Sequence, residues 1–437
     1  MIASLAALVA TAAFAGPAGA GTFQPAARSG EGELHMVADS REGSWLWYPG
    51  ADSREQLRKI SETGAVSTVA LPPQLQGTSL NFTPLPGGWA LASDHLPIAA
   101  RKRYGCCQAL VVAQRSPAGK WTPAQAVSSP GSMSAGATPA ELDGHLLLGW
   151  NEFATDGEPT LRLARAPLGG RFARSRVLGS VFGHRREQED GGFGLARGRL
   201  YATASTGPAF VERLVSPTGT LGARHYLISG VFAHSVPQAI PEPAGGEVWA
   251  YETGGPDVDE RLFVAYRARG SQRLVRSRLV VRYTENGFQV ARAPDGRTLL
   301  TIRADVRAPG AHFTNEEPSQ IVAATISPQG KLTPARTAAF DPEAKLASYD
   351  WTSAIDDRGD QLIASAESES DAPLWASVAS ARCPAYSPRK ELSASHERSQ
   401  LTAAAGARGV LHLAWVGSDE QVESTAASVS CAPQSGS

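Results

Sequence analysis

The chain of 437 residues is poor in the features that announce a particular chemistry. It has 4 cysteines and no C-x-x-C, so a cysteine zinc site or a thioredoxin-type redox pair is excluded. HExxH, GxSxG and a Walker A loop are also missing, which removes the familiar signatures of zinc proteolysis, serine hydrolysis and nucleotide phosphate binding. Neither sign of charge dominates: Lys+Arg 41 against Asp+Glu 42 leaves a net charge of -1, without the basic footprint that nucleic-acid binding requires. Beyond the N-terminus no apolar run is long enough for a membrane-spanning helix.

What the chain does have is 42% hydrophobic residues, 44 Gly and 30 Pro, a globular composition rich in turns. Met1 to Ala15 reads MIASLAALVATAAFA, too short to span a membrane, and Ala18-Gly19-Ala20 offers an A-x-A cleavage site. Residues 1–20 are therefore expected to be a secretory signal and residues 21–437 the mature, extracellular domain, although no basic residue precedes Arg28.

Self-comparison yields a repeat of about fifty residues. Glycine turns recur at Gly43, Gly88, Gly144, Gly198, Gly246, Gly296, Gly359 and Gly409, each followed by an apolar strand such as SWLWY, WALAS or QLIAS. A second series at Gly64, Gly119, Gly170, Gly219, Gly270 and Gly330 falls between them. Each unit thus reads as four short strands, a to d, with hairpins a–b and c–d, which is the size of a β-propeller blade. The expected fold is all-β, a propeller of eight four-stranded blades, or seven if one weak unit is misread. Ser53-Arg54-Glu55-Gln56 resembles a helix capping box, but the repeat register places it at the start of a c strand. The eighth unit stops after strand c, and Gly21-Thr22-Phe23-Gln24-Pro25-Ala26 matches Gly119-Lys120-Trp121-Thr122-Pro123-Ala124 and Gly330-Lys331-Leu332-Thr333-Pro334-Ala335. The N-terminal strand is therefore expected to complete the last blade beside Ala426, which closes the ring.

The c–d turns read Ser61-Glu62-Thr63-Gly64, Ser116-Pro117-Ala118-Gly119, Ser216-Pro217-Thr218-Gly219 and Ser327-Pro328-Gln329-Gly330, with Trp121 following Gly119. They resemble the Asp-box hairpin, S-x-D-x-G-x-T-W, of secreted bacterial sialidase-type β-propellers. The Asp is lacking here, and Ser stands one residue nearer to Gly. The resemblance implies a fold rather than an activity, because these hairpins lie away from the active face in that family.

In such a blade the b–c and d–a loops emerge together, and this face is where binding is expected. Its b–c loops are read to carry Asp52, Glu152, Asp156, Glu158, Asp257, Asp259, Glu260, Glu316, Glu317, Glu367, Glu369, Asp371, Asp419 and Glu420. Val181-Phe182-Gly183-His184 and Val231-Phe232-Ala233-His234 repeat in successive d–a loops, and His396 holds a similar place. The candidate ligand-binding residues are His184, Arg186, His234, Asp257, Asp259, Glu367, Asp371 and His396. No cofactor is expected; Ca2+ or another metal is the option that paired imidazoles and carboxylates leave open. Cys383 and Cys431 fall near matching ends of two c strands and are expected to form a disulfide, whereas Cys106 and Cys107 are a vicinal pair or free thiols.

These observations point to a secreted, monomeric propeller that binds a carbohydrate or cell-surface glycan. A sialidase-like glycoside hydrolase or polysaccharide lyase is one alternative; it would need an acid, a Tyr/Glu pair and an arginine cluster, for which Arg185, Arg186, Arg303 and Arg307 are available. A protein-interaction scaffold is the other.

Overall fold

The computed structural model describes residues 12–14, 34–39, 43–50, 54–61, 65–76, 80–95, 109–129, 133–153, 159–179, 181, 190–196, 199–205, 209–229, 238–241, 247–255, 258–267, 275–278, 283–293, 295–305, 319–327, 331–334, 336–340, 349–367, 373–381, 386–387, 390–393, 396–406, 410–417 and 422–429. Among them there is no α-helix, and the strands form eight four-stranded antiparallel sheets.

Strands a to d of the first sheet are His35–Asp39, Gly43–Pro49, Glu55–Ile60 and Val66–Val69. The second comprises Asn81–Pro84, Ala90–His95, Leu110–Arg115 and Gln125–Ala126; the third, Met133–Leu142, His145–Phe153, Pro159–Pro167 and Arg176–Val177. The fourth comprises Asp190–Ala196, Arg199–Ser205, Ala209–Val215 and Leu221–Ser229; the fifth, Gln238–Pro241, Glu247–Gly255, Val258–Arg267 and Val275–Arg278. The sixth comprises Tyr283–Arg292, Thr298–Asp305, Ser319–Ile326 and Arg336–Phe340; the seventh, Tyr349–Ile355, Gln361–Glu367, Leu374–Ala379 and Lys390–Ser393. The eighth comprises His396–Ala405, Leu411–Gly417 and Val422–Val429, with Ala12–Phe14 as its fourth strand. Glu55 does open a c strand, so the capping-box resemblance at Ser53 is overridden by the sheet.

The turns explain the repeat. At the c–d corners of the first, second, fourth and sixth sheets, Ser61, Ser116, Ser216 and Ser327 each donate their backbone N–H to the carbonyl four residues on (2.8–2.9 Å). Each serine hydroxyl accepts the N–H of that same later residue, at 3.0, 3.1, 2.9 and 3.2 Å. The serine thus satisfies a donor that the reversal would strand. Gly119 and Gly219 supply the left-handed φ of 81° and 74° that the fourth position needs. The seventh sheet uses the same design at its a–b corner with Asp356, whose Oδ1 accepts the N–H of Arg358 and Asp360 at 2.9 and 2.7 Å.

The chain divides into two compact units, residues 1–51, 58–68 and 280–437, and residues 52–57 and 69–279. In the second unit Leu91, Leu110 and Val112 of the second sheet pack on Leu146, Leu148 and Trp150 of the third. Leu147, Leu161 and Leu163 in turn pack on Leu200, Ala202 and Val211 of the fourth. Two glutamines reinforce the first of these layers. Gln114 Nε2 donates to the carbonyls of Pro167 (3.3 Å) and Gly170 (2.8 Å) while its Oε1 accepts the N–H of Gly169 (2.8 Å). Gln125 Oε1 accepts the N–H of Phe172 (2.9 Å) and its Nε2 donates to the same residue's carbonyl (2.8 Å).

In the first unit Leu299, Ile321 and Ala323 of the sixth sheet meet Trp351, Ile355 and Ile363 of the seventh. Leu362, Leu374 and Val378 meet Leu411, Leu413 and Trp415 of the eighth. Leu46, Tyr48 and Ile60 of the first sheet then pack on Ala414, Val416 and Val422 of the eighth, so both ends of the sequence share one core. Strand a of each of these sheets lies against strand a of the next, from the sixth through the eighth to the first.

The closing strand differs from expectation. Ala12, Ala13 and Phe14 pair with Val429, Ser428 and Ala427, so the place foreseen for Gly21–Ala26 is held by an earlier segment. Strand addition of this kind asks mainly for backbone groups, which TAAF supplies as well as GTFQ. Gly21–Ala26 itself lies outside the described residues.

Candidate functional site

Of the candidate ligand-binding residues, His184, Arg186, His234, Asp257 and Asp371 lie outside the described residues, as do the four cysteines, the loop carboxylates Asp52, Asp156, Glu158, Glu316, Glu317, Glu369, Asp419 and Glu420, and Arg185 and Arg307. Asp259 belongs to strand c of the fifth sheet rather than to a loop, because the ladder runs on to the pair Gly255–Val258 and leaves only Pro256 and Asp257 between the strands. Glu367 and His396 are placed in the first unit, on neighbouring sheets: Glu367 ends strand b of the seventh, and His396 opens strand a of the eighth.

The register relates them closely. In the sixth, seventh and eighth sheets the a–b ladder starts at the turn with Arg292–Thr298, Ile355–Gln361 and Ala405–Leu411. Its final pairs are Tyr283–Ala304, Tyr349–Glu367 and His396–Gly417, each the same number of strand b residues from the turn. The sixth and eighth sheets reach this level through the same irregularity in strand a, between Tyr283 and Phe288 and between His396 and Leu401. Since the three a strands are neighbours, Tyr283, Tyr349 and His396 stand at one level on the side from which the b–c and d–a connections leave. Glu367 lies directly across from Tyr349. The sequence reading missed both tyrosines; their signal was the recurrence of a ring-bearing residue where strand a begins.

The second unit shows a carboxylate at a strand b end that is spent on the fold. Glu152, opposite Ser134, is 3% exposed. Its Oε1 lies 2.8 Å from the Arg162 guanidinium, and its Oε2 accepts the N–H of Ser129 (3.0 Å) and of Trp150 Nε1 (3.4 Å). Glu152 was expected in a loop; strand pairing instead extends to Phe153, because Arg162 across the ladder neutralises the buried charge. Trp415 is the eighth-sheet counterpart of Trp150, as GVLHLAW matches GHLLLGW, but Gly417 stands where Glu152 would. Trp415 is 5% exposed, and its Nε1 has no hydrogen-bond partner among the described residues. Buried donors without partners are rare in folded proteins.

No group of His, Cys, Asp or Glu able to hold a metal ion occurs among the described residues. No helix is long and apolar enough to cross a membrane. Val177 is the one exposed large hydrophobic residue among those described.

No family model and no curated protein matches the chain. Among solved structures it is similar to the polysaccharide lyase Uly1, at 9% identity and a TM-score of 0.45, over 82% of this chain and 91% of that one. It is similar to a prolyl endopeptidase at 13% identity and a TM-score of 0.47, over 87% of this chain and 54% of that one. It is also similar to the NanB sialidase of Streptococcus pneumoniae at 9% identity and a TM-score of 0.38, over 83% of this chain and 70% of that one. Likenesses this distant, to proteins of three different activities, leave function to be argued from the residues of this chain.

Proposed function

We propose that the chain is a secreted, monomeric β-propeller of eight blades that binds a carbohydrate at the level of Tyr283, Tyr349, Glu367 and His396. Export through residues 1–20, closure of the ring by an N-terminal strand and the Cys383–Cys431 disulfide belong to this reading. The observation that carries it is the shared level of two tyrosines, a histidine and a carboxylate on three neighbouring sheets. Aromatic rings offer apolar faces to the C–H surface of a sugar, while carboxylate and imidazole exchange hydrogen bonds with its hydroxyls; sites of this type combine apolar walls with a few placed polar groups. The Trp415 Nε1 proton supports the reading as a donor without a partner in the same sheet as His396. The candidates His184, Arg186, His234, Asp257, Asp259 and Asp371, and a Ca2+ ion held by carboxylates, stay part of the proposal, to be tested by substitution and by metal analysis.

A glycan array followed by titration calorimetry tests this. Binding to one glycan class, weakened at least about tenfold by Tyr349→Ala or His396→Ala, supports it, since a tenfold loss is 1.4 kcal/mol of contact energy. Absence of binding to every glycan by the folded protein contradicts it.

The pair Tyr349–Glu367 also favours a second reading, sialidase-like glycoside hydrolysis, in which a tyrosine beside a glutamate would serve as nucleophile. Release of reducing sugar that is lost in both Tyr349→Phe and Glu367→Gln would establish it. A protein-interaction scaffold is the third reading, to be tested by an extended apolar patch on the rim.

A further inference from the structure

The outer edge of Val422–Val429 is built to take a strand, and the sequence holds two candidates for the same place. In the second sheet the b–c ladder begins with Ala90–Arg115, and Arg115 forms an isolated bridge with Trp121, ahead of the fourth strand. In the sixth it begins with Thr298–Ile326, and Ile326 bridges Leu332. In the eighth it begins with Leu411–Ala427, so the residue beside Ala427 is the counterpart of Trp121 and Leu332. Phe14 holds that place. Yet the match of GTFQPA to GKWTPA and GKLTPA assigns the same place to Phe23.

The second segment matches the pattern more fully. Thr122 and Thr333, which follow the bridging residues, donate their N–H to Gln114 and Thr325 at 2.8 Å, and a proline then interrupts the pairing, which resumes at Gln125 and Arg336. Gln24 and Pro25 reproduce this order, except that Gln24 lacks the hydroxyl with which Thr122 and Thr333 accept a second bond at 2.9 and 2.8 Å. Behind Phe14 the first proline is Pro17, one residue too late.

We propose that the edge of Val422–Val429 is a strand-acceptor site handed from Ala12–Phe14 to Thr22–Ala26 when the first twenty residues are removed, with Phe23 replacing Phe14 beside Ala427. The leader then guards an otherwise open sheet edge until the mature N-terminus takes over. This rests on the export reading for its biological occasion, but not for its test.

The test uses the full chain with a specific protease site inserted between Ala20 and Gly21, cut after folding and followed by hydrogen exchange of residues 422–429. After cutting, the released peptide departs on gel filtration and the edge stays protected. In the Gln24→Pro variant, which removes the equivalent N–H, exchange there rises at least about tenfold after cutting and is unchanged before it. Loss of protection on cutting without the substitution overturns the proposal, as does a leader peptide that stays bound. Exchange that rises in Gln24→Pro before cutting, or that stays slow in it after cutting, also overturns it.

Discussion

Nδ1 of His412, in the eighth sheet, lies 2.8 Å from Oγ of Ser44, in the first, and is hydrogen-bonded to it across 368 residues of sequence. The imidazole is 1% exposed, and its Nε2 has no partner among the described residues. Ala404 and Ala426 oppose it on either side within its own sheet. Burial lowers its pKa to about 4.

A pH dependence of stability follows. The unfolded chain takes up a proton near pH 6.5, whereas the folded chain resists until about 4. The contribution of neutral His412 is therefore complete above pH 6.5 and is lost as the pH falls toward 4, by an amount on the order of 3 kcal/mol. Urea midpoints measured between pH 7 and 4 should fall accordingly, and the fall should be markedly smaller in His412→Gln.

Asp356 acts in the opposite sense. Burial raises its carboxyl pKa to about 6, against the lowering effect of the N–H groups of Asp360 and Arg358. The folded state holds this proton more tightly than the unfolded one, so stability is greatest below about pH 4 and declines as the pH rises through 6. Asp356→Asn keeps the acceptor for both N–H groups without the charge and should raise the melting temperature at pH 8, with little change at pH 4. Asp356→Ala removes the acceptor as well and should cost about 1 kcal/mol at pH 4, and less at pH 8, where it also removes the buried charge.

The serine turns predict a graded series. Ser216→Ala should cost roughly 0.5–1.5 kcal/mol for the lost bond to the Thr220 N–H. Gly219→Ala should cost more, because a Cβ there would run into Arg176 and Leu163 at a φ of 74°. Denaturation of the two variants and the double variant checks the order.

Gln114→Ala should be more damaging than Ser216→Ala, at about 2–4 kcal/mol, since it strands the Gly169 N–H and deprives two carbonyls of their donor. Gln114→Glu restores the acceptor but no donor and should recover only part of the loss in the same denaturation experiment.

These contrasts show what the sequence made legible. The turns at Gly43, Gly88, Gly119, Gly144, Gly219, Gly296 and Gly359 and the serine caps of the c–d corners could be read because a positive φ and a hydroxyl cap are local demands that few residue types meet. Glu152 could not be placed, since its partners Arg162, Ser129 and Trp150 meet it only once register is fixed. The choice between Phe14 and Phe23 was equally hidden: strand addition recognises backbone, and two short apolar segments meet its terms. Tyr283 and Tyr349 escaped because their common level depends on irregularities within strand a.

The meeting of the first and eighth sheets, where both ends of the sequence share one core, is the relationship on which the proposed closure of the ring depends. Nitroxides attached through unnatural amino acids at Ser67 and Thr425 leave the cysteines untouched and report on it by pulsed electron resonance. Sheets packed about 10 Å apart predict one narrow distance distribution centred below about 30 Å. A broad distribution reaching beyond about 40 Å, in protein whose sheets are intact by circular dichroism, would contradict the account.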